Sequence, residues 1–228
     1  MVKQSKGLTV FLAAVIAALV LSASIAVPLL CRPFYYAHIE ALELPAYLGL
    51  EAGEIRRAFD EMMDFCIGLT DEFSTGVLPW SQSGYEHFVD VKKLFVADLW
   101  ALGISAALLV GDLLLRDRRK VRPYRFLGRG PGFWAAAGLG GFFAVVGLLA
   151  AVDFSRAFVI FHTIFFPGKT NWLFDWRTDA IILILPEVFF RNCAILIVAL
   201  LLTWCGILIA ADLWLGKAMR PRCGQKEF

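Results

Sequence analysis

The sequence predicts an all-α integral membrane protein with four spanning helices, and three observations predict it. Hydrophobic residues make up 59% of the 228-residue chain and charged residues only 18%. An ordinary soluble domain is nearer half apolar and a quarter charged. The apolar residues gather into four runs, 8–30, 94–115, 133–152 and 193–215, each near the roughly 20 residues that cross a hydrocarbon layer as a helix. The formal net charge of +2 hides a strong segregation of sign, which orients the runs.

The first run follows a short basic stretch with Lys3 and Lys6. A cleaved signal peptide is the rival reading, because residues 22–26 (SASIA) resemble a small-residue cleavage region. The run continues through 27–30, past the usual signal core, which favours a retained helix. Residues 31–93 then form a long loop with eleven acids against five bases. Inside it Ile55, Phe59, Met62, Met63 and Cys66 recur at helical spacing with charges between them. That pattern predicts an amphipathic helix over 51–69, with the methionine pair as packing. Residues 73–84 hold Gly, Pro and three Ser, which predicts turns with room for a short hairpin.

The second run carries Asp98 near its start and Asp112 near its end. It leads into Arg116, Arg118, Arg119, Lys120, Arg122, Arg125 and Arg129, against Asp117 as the one acid. Short loops rich in Lys and Arg stay in the cytoplasm. The expected topology is therefore N-in and C-in, with 116–132 cytoplasmic and 31–93 and 153–192 extracellular. The long first loop and the shorter second loop would form an extracellular cap on one membrane domain covering 1–228. Gly138, Gly140, Gly141 and Gly147 in the third run allow close helix contact. The fourth run ends in a basic tail with Lys217, Arg220, Arg222 and Lys226.

The five cysteines, Cys31, Cys66, Cys193, Cys205 and Cys223, leave at least one unpaired and show no disulfide or metal spacing. No Gly-rich phosphate loop, GxSxG elbow or nucleic-acid signature is present, so no nucleic-acid partner is expected. The chemistry concentrates in 161–191, which carries His162, Asp175, Asp179, Glu187 and Arg191 between two apolar runs. Gly, Pro and Asn break it, so it cannot be one continuous spanning helix. Polar groups at a bilayer edge are costly unless paired or used.

In the expected orientation His87 and His162 both lie on the outer face, each near the end of a span. A helix starting near Glu86 puts His87 and Asp90 one turn apart, so that Asp90 can orient an imidazole. Histidine suits proton transfer near neutral pH. Read from residue type alone, each histidine is equally an interfacial or buried structural side chain. His38, among Phe34, Tyr35 and Tyr36, reads as an interfacial anchor. Two histidines with carboxylates also fit a metal site, but no HExxH-like spacing supports one, and neither metal nor cofactor is expected.

Three motifs together resemble the bacterial lipoprotein intramolecular transacylase (Lit) family. They are HFVDVK at 87–92, FHTIFF at 161–166 and NWLFDWRTDAIILILPEVFF at 171–190. The four-span layout is similar across nearly the whole chain; 31–83 matches mainly in pattern and carries no residue over. The resemblance implies a multi-pass acyltransferase of the bacterial plasma membrane, with its active site on the extracellular face among membrane lipid. Its substrate would be a diacylated lipoprotein. The sn-2 acyl chain of the S-diacylglyceryl group would pass to the α-amine of the N-terminal Cys, giving the lyso form. The resemblance implies His87 and His162 as the catalytic pair, acting as general acid and base. It makes Asp90, Lys92, Trp172, Asp175, Asp179 and Glu187 support or substrate-positioning candidates, each of which reads as well as a structural contact. A non-enzymatic membrane scaffold and a metal-dependent membrane hydrolase stand beside this reading.

Overall fold

Four helices are long and apolar enough to cross a membrane: Lys6–Leu30, Gln82–Leu115, Pro131–Val152 and Glu187–Gly216. Large apolar side chains along them, such as Trp100, Leu114, Leu148, Leu149, Ile195 and Trp214, face outward rather than into a core. A helix that is apolar all round without a protein partner on each side suits lipid. The chain is a multi-pass membrane protein.

The structure is a computed structural model and describes residues 3–115, 118 and 120–218. Of the residues named above, Arg116, Asp117, Arg119, Arg220, Arg222, Cys223, Lys226 and the Lys217 side chain lie outside the description. The described chain runs β1 (Lys3–Ser5), α1 (Lys6–Leu30), α2 (Arg32–Ala41), α3 (Leu44–Leu48), α4 (Ala52–Cys66), α5 (Gln82–Leu115) and β2 (Val121–Pro123). It continues through α6 (Pro131–Val152), α7 (Phe154–Phe165), α8 (Ile181–Ile184) and α9 (Glu187–Ala218). Residues 73–81 make turns and no hairpin. The one strand pair among the described residues was not anticipated: β1 and β2 pair in parallel, with Lys3 opposite Val121.

The chain divides into two compact units. The first comprises Met1–Ser22, Ala101–Val145 and Val198–Phe228. Val20, Ala136, Leu201 and Cys205 form its core. Of the glycines in α6, Gly140 makes the close approach: a Cβ there would lie 3.2 Å from Cys205 Cβ, whereas Gly138 and Gly141 face open space. The buried Asp212 accepts from the Gly130 N–H at 3.0 Å and from Arg125 Nη2 at 2.9 Å, and Arg129 Nη1 stands 3.7 Å from its other oxygen. Those bonds meet the cost of burying a carboxylate and hold 125–130 against α9. The Thr9 hydroxyl donates to the Tyr124 carbonyl at 2.8 Å, tying α1 to the segment after β2.

The second unit comprises Ala23–Trp100 and Val146–Ile197. Its core joins Tyr35 and Ile39 of α2, Ile55, Phe59, Met62 and Cys66 of α4, Phe88 of α5, Ile181 and Ile184 of α8, and Phe189 of α9. Full burial of such a side chain contributes about 1.5–3 kcal/mol. α4 starts on a capping box, in which Glu54 Oε2 accepts the Glu51 N–H at 2.9 Å. Its apolar face, Met62 and Met63 included, is core, as the spacing predicts. Tyr35 stacks on Phe59 at 3.6 Å and donates its hydroxyl to the Ile184 carbonyl at 2.8 Å, clasping α2, α4 and α8 together. Arg32 reinforces this by bridging Asp60 at 3.3 Å and Asp64 at 2.6 Å.

Asp153 separates α6 from α7 and caps the latter, accepting the Arg156 N–H at 2.9 Å. α9 begins directly after Pro186, where a ring that lacks an N–H costs nothing. The start of α5 is set by Asp179, only 4% exposed. Its carboxylate accepts the Ser81 N–H at 2.8 Å, the Ser81 hydroxyl at 2.9 and 2.8 Å and the Thr178 hydroxyl at 2.9 Å. Ser81 Oγ in turn accepts the Gly84 N–H at 3.0 Å, capping the helix. Gly84 must be glycine: a Cβ there would meet Asp179 Oδ1 at 2.0 Å and the Phe174 ring at 3.2 Å.

Gly84→Ala therefore expels Asp179 from Ser81 and should cost at least about 2 kcal/mol of stability, since hydrogen bonds to a charged group are worth ~1.5–3 kcal/mol each. Gly53→Ala, where no atom lies within 4 Å of the added Cβ, should be neutral or slightly stabilising in its helix. Thermal melts of the two purified variants check this; equal melting temperatures would refute the role given to Gly84.

Candidate active site

α5 carries His87 and α7 carries His162, and the second unit brings their rings to 5.8 Å between centroids, tilted by 31°. They are 5% and 7% exposed. Aromatic side chains close around them. Phe166 lies 4.9 Å from His87 and 5.7 Å from His162, and Phe174 stands edge-on to His87 at 5.4 Å. Phe158 sits 4.2 Å from His162, and Trp172 stacks on it at 4.7 Å with 29° between the planes. Aromatic rings supply a rigid apolar wall, and water has little room beside them.

The nitrogens of the pair are placed differently. His162 Nδ1 lies 2.8 Å from the Phe158 carbonyl. A carbonyl only accepts, so Nδ1 carries the hydrogen and the neutral ring keeps its lone pair on Nε2. Burial lowers the pKa of His162 below the usual histidine value, partly offset by that hydrogen bond. His87 Nδ1 is enclosed and has no hydrogen-bond partner, an arrangement proteins seldom leave unused.

The other residues singled out above divide by what they touch. Trp172 is against His162, and its indole N–H donates to the Lys169 carbonyl at 3.1 Å. Asp90 is buried with both oxygens taken by ammonium groups: Lys93 at 2.9 Å on one, Lys169 on the other. Lys169 thereby clips the turn after α7 to α5, and that turn carries Trp172. Lys92 points elsewhere, to the Thr70 carbonyl and Asp71, both at 2.9 Å, above the Phe65 ring. Asp175 is exposed and closes its own turn by accepting the Arg177 N–H at 3.0 Å. Asp179 holds the start of α5, and Glu187 accepts the Ser155 hydroxyl at 2.7 Å, joining α7 to α9.

His38 stands apart from the pair. Its Nδ1 donates to the Phe34 carbonyl at 2.7 Å and its Nε2 accepts from Asn192 at 2.9 Å, which satisfies both nitrogens within the fold. Lys169 escaped the sequence reading because a lysine in a Pro-Gly-Lys turn looks like a solvated side chain. Among the described residues, no group of three or more His, Cys, Asp or Glu is arranged to hold a metal ion. Cys66 is no nucleophile: burial pushes its thiol up to about 12.

The family model described as lipoprotein intramolecular transacylase Lit matches residues 9–190, both histidines included. Among solved structures, the membrane integral lipoprotein intramolecular transacylase Lit from Bacillus cereus superposes with a TM-score of 0.80 at 24% identity, over 92% of this chain and 94% of that one. Two variants of the B. cereus protein, with one histidine replaced by arginine or by alanine, each superpose with a TM-score of 0.72 at 24% identity. They cover 92% of this chain and 91% and 92% of their own. At that identity the likeness is one of fold. No curated protein matches the chain in sequence.

The lowered pKa of His162 makes stability depend on acid. The unfolded chain takes up this proton below about pH 6.5, and the folded chain does so only at lower pH. Stability is therefore full above about pH 6.5 and falls as the pH drops below it. Melting temperatures measured from about pH 7.5 to about pH 5.5 should fall, and fall less in His162→Gln; equal falls in both proteins would contradict the assignment.

Proposed function

The chain belongs to the lipoprotein intramolecular transacylase (Lit) family, and on that premise we propose that it converts a diacylated lipoprotein to its lyso form. The observation that carries the reading is the pair of enclosed imidazoles 5.8 Å apart, one with a free Nε2 and one with an unpartnered Nδ1.

The reaction balances within one substrate molecule. The lipoprotein's N-terminal Cys bears an S-linked diacylglyceryl group and a free α-amine. The amine nitrogen attacks the carbonyl carbon of the sn-2 ester, forming the C–N bond. One imidazole takes a proton from that nitrogen, the C–O bond to glycerol breaks, and the glyceryl oxygen receives a proton from the other imidazole or the first. The products are an amide and a free hydroxyl on the same molecule, with no water consumed and no net proton change.

An α-amine has a pKa near 7.7–8.0 in water, so a base is needed to keep it nucleophilic near neutrality. Nucleophile and ester share a molecule, so holding them in register supplies a large proximity advantage. An aromatic box that excludes water protects the acyl group from hydrolysis during transfer. Written this way, the reaction needs no acyl-enzyme, metal or cofactor.

His87 and His162 are assigned the proton transfers. Trp172 sets the His162 ring, and Asp90 with Lys169 sets Trp172. Lys92, Asp175, Asp179 and Glu187 hold the frame. The basic segment 116–132 favours a cytoplasmic location by the positive-inside rule, which puts both termini inside and the acidic 31–93 and the charge-balanced 153–192 outside. In that orientation the 228 residues act as one membrane domain with an extracellular cap. The histidines then meet their substrate at the outer headgroup level, where the ester of a lipid-anchored protein lies.

Mass spectrometry of lipoprotein N-terminal peptides from cells with and without this protein tests the proposal. The expected result is one acyl chain moved from glycerol to the amine at unchanged total mass. A diacylglyceryl peptide with its amine still free, despite good expression, would overturn it.

A further inference from the structure

The two histidines are buried by the protein's own side chains, so a lipid-anchored substrate reaches them only when part of that wall moves. α5 and α7 are bonded along their own backbones. Three of the enclosing rings, Phe166, Trp172 and Phe174, come instead from 166–179, a run of turns. This segment is fixed at both ends. The Phe166 N–H donates to the His162 carbonyl at 2.8 Å in the last turn of α7. At the far end Asp179 holds Ser81, and the Ala180 N–H donates to the Pro79 carbonyl at 3.1 Å.

Between those ends the segment is tied down at one point. Among the described residues, every hydrogen bond made by 167–178 closes within 166–179, apart from that of the Lys169 ammonium to Asp90. The remaining hold is ring contact: Trp172 on His162, and Phe174 on His87 and on Phe88 at 5.6 Å. Leu173 and Trp176 are 63% and 56% exposed, which leaves the outer face of the segment uncovered. Gly168, at φ +74° and with no atom within 4 Å of an added Cβ, turns the chain just ahead of Lys169. A segment that lifts without breaking a backbone bond to its surroundings belongs to the easily opened part of a fold.

Resting on the proposed acyl transfer, we propose that 167–178 is the gate through which the lipoprotein's reacting end enters the histidine box, and that the Lys169–Asp90 ion pair is its latch. Closed, the latch brings Trp172 onto His162 and Phe174 onto His87. Released, the segment carries both rings away and bares the imidazoles, while the Asp179–Ser81 anchor keeps the start of α5 in place. The charges suit repeated opening. The Lys169 side chain is 47% exposed, so water solvates the freed ammonium, and Asp90 keeps Lys93 as a partner at 2.9 Å. Opening therefore strands no unpaired buried charge, the condition that makes breaking an ion pair costly.

The test reads access to the imidazoles in the purified full-length protein without substrate. Diethyl pyrocarbonate acylates accessible neutral imidazole, and peptide mass spectrometry gives the rate at His87 and His162 separately, with His38 as the reference outside the box. Lys169→Met keeps the stem and removes the charge. Modification of both box histidines should then be about two- to fivefold faster, the range a half-exposed ion pair supplies, with His38 unchanged and little change in melting temperature. Raising the salt from about 0.05 to about 1 M should speed the wild-type reaction and leave Lys169→Met indifferent, because only the former has a latch to screen. Carbodiimide coupling of Lys169 to Asp90 as an amide should shut the box, so that transfer on a synthetic S-diacylglyceryl lipopeptide falls in proportion to the coupled fraction. Equal access in wild type and Lys169→Met, or full transfer by coupled protein, would overturn the proposal. Faster modification that extends to His38 and comes with a lowered melting temperature would overturn it too, since both mark general loosening. Absence of transfer by the untreated wild type would overturn the acyl-transfer reading, whereas the access rates judge the gate separately.

Discussion

The carboxylate of Asp179 fixes where α5 begins, and the histidine pair follows from that. A buried carboxylate is costly in an apolar setting unless hydrogen bonds surround it, and Asp179 is satisfied by Ser81 and Thr178. The bonds to Ser81 set the N-cap, and the N-cap sets the rotation of the first turns of α5. His87 lies in those turns, so the azimuth at which it points is decided at Ser81. The absence of a side chain at Gly84 is the other half of the constraint, because any Cβ would occupy the space that Asp179 needs. A polar bond and a missing methyl group thus act together to aim one imidazole at another.

Placement of charge around the pair follows the same economy. The ring contacts of His87 and His162 are aromatic, while the nearby Asp90 has both oxygens taken by the ammonium groups of Lys93 and Lys169. Burial holds the His162 ring in its neutral form near neutral pH, and the bond to Phe158 leaves the outer nitrogen available. The site therefore presents a lone pair in dry surroundings, which suits proton transfer to and from a nitrogen nucleophile.

Much of this was legible in the chain. The four apolar runs became four long helices because hydrocarbon demands an internally bonded backbone about 20 residues long. The spacing of Ile55, Phe59 and Met62 announced α4, since an isolated surface helix buries one stripe. The FHTIFF and HFVDVK motifs pointed to the two histidines that meet. Other features were hidden, and each for a physical reason. Lys169 draws its role from a partner 79 residues away, and no local pattern distinguishes it from a solvated lysine. Asp212 sits inside an apolar run where its partners, Gly130 and Arg125, are known only once the chain has folded. The β1–β2 pair uses backbone groups alone, which leave no trace in side-chain periodicity. Gly84 reads as a turn residue in the sequence, and its need to be glycine comes from a carboxylate across the fold.

The central claim is that two imidazoles in an aromatic box carry the protons of an acyl transfer that stays within one substrate molecule. Single-turnover transfer on a synthetic S-diacylglyceryl lipopeptide, followed by mass spectrometry, tests it directly with purified His87→Ala, His162→Ala and the double variant. The account predicts a loss of about 10²–10⁴-fold in each single variant and little further loss when both are combined, because residues that act as a unit are not additive. Transfer near the wild-type rate by either folded single variant would contradict it.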